Sequence, residues 1–202
     1  MTRVSVRDMN TKKLPGLAVV LSATMLFASA DTVRAEEGII KDASVHDVRP
    51  TKLDFTGSLG FIGDRDIGLA GWYSFPIVKD GFIPPLNDSF NLEFGAAVEY
   101  AWSNYGYFGY HCDYNYYGVT PMGGVRWDFY LTKAWTVFAK AKAGIGYRVL
   151  KEDCPGFDDS GRGGTTFVPD GGAGAFWNFS EGMGMRFEVG YRGGSVGLSI
   201  NL

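Results

Sequence analysis

Residues 90–102 read FNLEFGAAVEYAW, and their apolar side chains fall on alternate positions. Glu93 and Glu99 lie on the other parity, among small residues and one amide. Because successive side chains of a strand point to opposite faces, this stretch predicts a strand with one wholly apolar face. A soluble sandwich would bury that face in its core. A membrane barrel would turn it toward lipid and keep the polar face inside.

The first 35 residues have the layout of an export signal. Four basic residues precede an apolar run at 17–27, and small residues follow it. The run has about a dozen residues, fewer than the ~20 that a transmembrane helix needs. We therefore predict a signal peptide over 1–35, cleaved after Ala30 or Ala35. Residues 36–51 are expected to form a mobile periplasmic N-terminal segment, followed by one domain over 52–202.

Alternation with period two continues through the rest of the chain. It predicts eight strands, at about 53–61, 67–75, 90–102, 119–131, 135–149, 167–179, 185–191 and 196–202. A strand of about 13 residues, at ~3.3 Å each and tilted by ~40°, rises about 33 Å and can cross a ~25 Å apolar band. The predicted fold is therefore all-β, a single eight-stranded antiparallel up-and-down transmembrane barrel.

The predicted connections alternate in length. Those at 132–134 and 180–184 are tight, whereas the segments from Ser103 to Tyr116 and over 150–166 are long, polar and contain glycine. In outer-membrane barrels the short turns are periplasmic and the long loops extracellular. Two connections break the rule, because the first outer one is short and the inner one at 76–89 is long.

The parity opposite to the apolar face carries six acids and six bases. An eight-stranded barrel is filled by its own side chains, so charges there must pair. The alternative is the solvated outer face of a soluble sheet. The predicted lumen ion pairs draw on Asp54, Glu93, Glu99, Arg126, Asp128, Lys140, Lys142, Arg148, Asp170, Arg186, Glu188 and Arg192.

Aromatic residues on the apolar parity cluster near the strand ends, where the interfacial girdles of a barrel lie. The alternative is that these are core aromatics of a soluble sandwich. Trp72 takes the other parity, which predicts either a bulge in its strand or a tryptophan in the lumen. The predicted girdle consists of Tyr100, Trp102, Trp127, Phe129, Trp135, Tyr147, Phe167, Trp177, Phe179 and Tyr191.

On this pattern, residues 52–202 resemble the small outer-membrane barrels of Gram-negative bacteria, of the type of the outer membrane protein A barrel and outer membrane protein X. The last residues, VGLSINL, look like the terminal signal read by the barrel-assembly machinery, although that signal usually ends in Phe or Trp and this one ends in Leu202. The resemblance implies residence in the outer membrane and a structural or surface-interaction role. The implied partners are outer-membrane lipid, lipopolysaccharide and the barrel-assembly machinery.

Cys112 and Cys154 fall in the two long predicted outer loops. After export to an oxidising compartment, such a pair is most simply a disulfide. The rival interpretation is a metal site formed with His111, Asp113 and neighbouring acids. Its spacing matches no zinc pattern, so we expect no metal and no cofactor.

The remaining function classes are narrowed by charge and by histidine content. The net charge of −3 falls further once the basic leader is removed, which argues against nucleic-acid binding. A lipid-modifying enzyme of the Ser/His type needs a histidine base, and the two histidines of the chain, His46 and His111, have no obvious serine partner, so we predict no enzyme.

A narrow passive channel and a lipid-modifying enzyme remain alternatives. The aromatic segment from Ser103 to Tyr116 would either bind an extracellular ligand or pack within lipopolysaccharide headgroups.

Overall fold

A computed structural model describes residues 40–41, 49–60, 65–107, 110–153 and 162–202. The predicted signal peptide and both candidate cleavage sites lie outside these residues. Within the described ranges the chain forms eight strands: β1 (Lys52–Gly60), β2 (Arg65–Val78), β3 (Asp88–Tyr107), β4 (Tyr110–Tyr130), β5 (Trp135–Asp153), β6 (Arg162–Asn178), β7 (Met183–Gly190) and β8 (Gly193–Asn201). In the same ranges, helices long and apolar enough to cross a bilayer are absent.

The eight strands close into an antiparallel barrel. Each strand pairs with the next along the chain, and β8 pairs with β1 from Lys52↔Asn201 to Gly60↔Gly193. The predicted all-β, up-and-down architecture is therefore confirmed. We call the end that holds Lys52 and Asn201 the termini end, and the end where β3 meets β4 the hairpin end.

The two faces of the sheet differ in the way that the alternation predicts. On β5, Thr136, Phe138 and Lys142 are buried inside the barrel, while Ala141 and Ile145 between and beyond them face outward. Large apolar side chains on the outer face are well exposed, with Leu69 at 67% and Val189 at 61%. The polar set is thus enclosed, and the apolar set covers the outer wall.

The strands are longer at the hairpin end than the sequence predicted. β3 continues to Tyr107 and β4 begins at Tyr110, so most of the segment from Ser103 to Tyr116, predicted as a loop, is strand. β5 and β6 likewise shorten the predicted loop at 150–166. The loop prediction was wrong because the apolar alternation stops at Trp102 although backbone pairing goes on. Tyrosine is a residue that suits strands, and backbone pairing does not require an apolar face.

Trp72 fills the lumen, which settles the choice that its parity left open. Its side chain is 5% exposed and packs with Met122 and Val168. The irregularity in β2 lies instead between Pro76 and Val78, where the pairing with β3 shifts. Proline has no N–H to give to the ladder, so a shift at this position costs little.

Part of the N-terminal segment contacts the termini end of the barrel. The Asn87 N–H donates to the Ile40 carbonyl at 2.6 Å. Arg49 Nε donates to the Lys79 carbonyl at 3.2 Å, and its guanidinium lies 3.9 Å from the centre of the Tyr130 ring. These described residues contact the barrel, whereas the rest of the predicted N-terminal segment lies outside the described residues, so its predicted mobility stays a prediction.

Candidate functional site in the barrel lumen

Glu93 lies at the centre of a buried ion-pair network that crosses the lumen. Its carboxylate accepts hydrogen bonds from Arg126 Nη1 at 2.6 Å and from Lys142 Nζ at 2.6 Å. Arg186 donates to both carboxylate oxygens, at 2.8 and 2.9 Å. The three cations come from β4, β5 and β7, and each is at most 5% exposed. One carboxylate therefore joins four strands across the barrel.

The other carboxylates of the network complete the coordination of the two arginines. Asp128 accepts from Arg126 Nε at 2.7 Å and from Nη2 at 3.0 Å, a bidentate pair. Asp54 accepts from Arg186 Nη1 and lies 3.8 Å from Arg126 Nη1. Glu188 also accepts from Arg186. Paired in this way, both guanidinium groups can remain charged in a dry interior.

Lys140 extends the network toward the hairpin end. Its Nζ donates to Asp170 at 2.9 Å and to Glu188 at 3.0 Å. Because Glu188 also binds Arg186, the ion pairs form one connected set from Asp128 to Asp170. These are nine of the twelve residues that the sequence assigned to lumen ion pairs.

Glu99, Arg148 and Arg192 form a separate group nearer the hairpin end. Arg192 Nη2 donates to Glu99 Oε1 at 2.5 Å, and Arg148 Nη2 lies 3.7 Å from Glu99 Oε2. Glu99 and Arg192 also line a cavity of about 90 Å³, whose other lining residues include Trp72 and Met122. The cavity is lined by charged and apolar side chains alike. Among its lining residues, Trp72 and Glu99 each have a buried polar atom, Nε1 and Oε2, that makes no hydrogen bond to a described residue, and a bound water would supply one.

Rings that the sequence did not assign to the lumen pack against its cations. Phe138 and Phe176 are 3% and 0% exposed, and the Arg126 guanidinium lies 4.7 Å from the Phe176 ring centre. Lys142 Nζ lies 3.5 Å from the Trp72 ring centre, and Lys52 Nζ lies 4.2 Å from that of Phe176. These contacts are cation–π interactions in a desolvated site. The signal that could have found the two phenylalanines is their parity, which matches that of the charged residues.

The ten residues of the predicted girdle lie at the two ends of the barrel, on its outer face. At the termini end Trp135 stacks on Trp177 at 6.2 Å, Trp177 contacts Phe179, and Trp127 contacts Phe129. At the hairpin end Tyr100 packs on Trp102 and on Tyr117, and further exposed rings lie along the same rim. Those further rings are Tyr147, Phe167 and Tyr191. The stretch from Trp135 to Tyr147 rises roughly 30 Å at ~3.3 Å per residue and ~40° tilt.

Several candidate residues fall outside the part of the chain whose side chains are described. Cys154 and His46 lie outside the described residues, and of Cys112 and His111 only the backbone, in β4, is described. The disulfide, the rival metal site and a histidine base therefore stay predictions. Among the side chains that are described, His, Cys, Asp and Glu form no group of three that could hold a metal ion.

Comparison with known proteins gives structural neighbours. No protein-family model and no curated protein matches the chain. A de novo designed transmembrane β-barrel is 16% identical over 77% of this chain and 98% of its own, with a TM-score of 0.41. Ail, the attachment invasion locus protein of Yersinia pestis, is 14% identical over 75% of this chain and 95% of its own, with a TM-score of 0.38. A structure of Ail with the heparin analogue sucrose octasulfate matches over the same shares at 14% identity and a TM-score of 0.37.

The architecture itself is established by the strand pairing within this chain. Eight strands pair in sequence order within the described residues, and the first pairs with the last. A closed eight-stranded antiparallel barrel is the architecture of the small outer-membrane barrel family that residues 52–202 resemble.

Proposed function

We propose that this protein resides in a bacterial outer membrane as a non-enzymatic barrel with a structural or surface-interaction role. The observation that carries the proposal is the inverted distribution of polarity. Exposed apolar side chains such as Phe55, Ile145 and Val189 surround the outer wall, whereas ion pairs occupy the interior. An apolar surface of that extent is rare on a soluble monomer and is expected where hydrocarbon surrounds the protein.

The experiment that tests this residence is electrophoresis of the membrane fraction with and without heating. A closed barrel keeps its compact form in SDS until it is boiled, so we expect the unheated protein to migrate faster than the boiled one. In intact cells, external protease should cut the hairpin end and spare the wall. A protein that fractionates as a soluble monomer, with one mobility at both temperatures, would contradict the proposal.

We further propose that the network around Glu93 closes the lumen, so that the barrel does not conduct ions. Arg126 and Arg186 reach this carboxylate from different strands and are fully enclosed, and Phe138 and Phe176 pack beside them. We expect the purified protein to give no steady unitary currents in planar bilayers. Stable single-channel steps that scale with protein concentration would instead favour the narrow passive channel.

The surface-interaction role is supported by the unequal height of the barrel wall. At the hairpin end, the pairing of β2 with β3 stops at Trp102, and the pairing of β7 with β6 stops at Gly172. Strands β3 to β6 continue beyond these two residues toward the hairpin end. These four strands therefore form a sheet that projects at the hairpin end. Its tip includes most of the tyrosine-rich segment from Ser103 to Tyr116, which we propose as the contact surface for lipopolysaccharide or an extracellular ligand.

The predicted disulfide between Cys112 and Cys154 would tie this projecting sheet together. The described register of β4 and β5 ends at the pair Asp113↔Asp153, and in the sequence Cys112 directly precedes the first of these residues and Cys154 directly follows the second. Antiparallel partners have Cα atoms about 4.5–5.5 Å apart, which suits a disulfide.

We expect iodoacetamide to leave the denatured protein unlabelled when no reductant is present, and to label it once a reductant is added. A Cys112→Ser variant supplies the control, because its remaining cysteine should be labelled without reduction. Labelling of both cysteines in the unreduced native chain would contradict the pairing.

A further inference from the structure

The long connection between β2 and β3, residues 79–87, interrupts the pattern of short turns at the termini end. Two features hold it in a defined position. Asp88 Oδ2 accepts the Phe82 N–H at 3.1 Å and the Trp127 indole N–H at 2.6 Å. On the other side, Arg49 binds the Lys79 carbonyl and the Asn87 side chain. The connection is therefore a built part of the barrel and has a fixed relation to its outer wall.

Gly81 lets the chain turn back onto the wall at this point. Its φ of +61° lies in the left-handed region, and a Cβ there would sit 2.1 Å from the carboxylate of Asp88. A side chain at position 81 would therefore strain the backbone and displace the acceptor that holds Phe82. Gly81 and Asp88 therefore determine how the chain turns at Phe82.

The turn places Phe82 against the outer face of the barrel. Its ring lies 5.0 Å from that of Phe90 and 6.1 Å from that of Trp127, both on the apolar parity of their strands. Despite these contacts Phe82 remains 58% exposed, and Pro84 and Pro85 beside it are also exposed. Lys79 and Asp80, at the start of the connection, are exposed and charged. An apolar patch next to charged residues, continuous with a girdle of rings, matches the chemistry of a lipid headgroup–acyl boundary.

We propose that residues 79–87 form a membrane-interface contact, in which Phe82 enters the phospholipid leaflet at the termini end. This inference rests on the proposed membrane residence and adds to it a defined lipid-contact segment. The patch favours lipid as its occupant, because it continues the outward-facing rings of Phe90 and Trp127 along the wall. This contact would account for the length of the connection, which is unexpected for an inner turn, because it enlarges the anchoring surface at the termini end.

Site-directed fluorescence in phospholipid vesicles can test this placement. In a Cys112→Ser, Cys154→Ser background, single cysteines at Phe82→Cys, Ala141→Cys and Lys133→Cys are labelled with the environment-sensitive NBD fluorophore. Ala141 lies on the outer wall and Lys133 in the exposed β4–β5 turn. We expect emission at position 82 at shorter wavelength than at 133, and stronger quenching by phosphatidylcholine spin-labelled near the headgroup than deep in the chain. Position 141 should show the reverse depth preference, and position 133 should be quenched by neither lipid.

The outcomes separate this inference from the proposed function. If position 82 behaves like 133 while 141 is quenched by the deep probe, the barrel is in the membrane and the interface contact is wrong. If 141 is also unquenched, the membrane residence itself fails, and the inference fails with it. Adding Gly81→Ala to the Phe82→Cys protein provides a second test. We expect it to move emission at position 82 toward that of 133 without changing a label at 141, and an unchanged spectrum would show that Gly81 does not position the segment.

Discussion

Replacing Glu93 with alanine should lower the free energy of unfolding by about 3–5 kcal/mol, the cost typical of removing one partner from a buried ion pair. The substitution leaves Arg126, Lys142 and Arg186 without the carboxylate that all three share, in a lumen with little access to water. The measurement is urea unfolding of the protein folded in phospholipid vesicles, followed by heat-dependent migration on SDS gels. Glu93→Gln, which keeps the volume and loses the charge, covers the case in which the alanine variant does not fold.

Two further variants show whether the loss arises from unpaired charge. Glu181→Ala removes an exposed carboxylate in the β6–β7 turn and should change stability by less than about 0.5 kcal/mol. Adding Lys142→Met to Glu93→Gln removes one of the unpaired cations, so the double variant should be more stable than Glu93→Gln alone. If Glu93→Ala is as harmless as Glu181→Ala, or if the double variant loses the sum of both single effects, the network does not act as described.

The pairing partners of Glu93 show where sequence reasoning reaches its limit. Its parity alone places it on the polar face with the other charged residues. Which cation it meets depends on how far each strand is staggered against its neighbours, and Arg186 is 93 residues away along the chain. Alternation gives the face of a residue but not its height in the barrel. For that reason the sequence yields a set of inward charges but not their connections.

Phe138 and Phe176 show a second limit, which comes from equating apolar character with the outer face. Both rings lie on the charged parity and point inward, where they pack against the guanidinium groups of Arg126 and Arg186. A ring beside a buried cation offers its negative face and excludes water, so an apolar residue can be favourable in a polar lumen. Lys52 was missed for a simpler reason, because it is the first residue of β1 and preceded the predicted strand.

The hairpin end was predicted least well, because the apolar alternation used to find strands ends before the sheet does. Between Phe90 and Trp102 one face of the strand is wholly apolar, as the proposed membrane residence requires, and the sequence alternates accordingly. From Ser103 onward β3 and β4 still pair, through to Tyr107↔Tyr110, although the apolar alternation has ended. Backbone hydrogen bonds hold a hairpin together without regard to which face is apolar. The predicted strand end therefore marks the expected membrane boundary and not the end of the sheet.

An arginine at position 141 should be the most damaging single addition to the outer wall. Ala141 lies on the outer face of β5, midway between Trp135 and Tyr147, with Val125 and Gly171 as its neighbours across the sheet. At the midplane of a bilayer an outward arginine costs about 2–4 kcal/mol. On the water-exposed face of a soluble sheet the same change would be within about 0.5 kcal/mol. Urea unfolding of Ala141→Arg in phospholipid vesicles measures the difference.

Two companion variants separate the effect of depth in the bilayer from the effect of side-chain size. Thr165→Arg places the same side chain beside Tyr147 at the hairpin end, where the cost should fall to about 0–1 kcal/mol because the guanidinium can reach water. Ala141→Leu adds bulk without charge and should be nearly neutral, since under the proposed membrane residence the outer wall meets fluid lipid and not a packed core. A gradient from position 141 to position 165, seen for arginine and not for leucine, requires an apolar medium around the middle of the barrel. Equal, small effects at both positions would mean that water surrounds the wall, and then the exposed apolar face would need another partner to cover it.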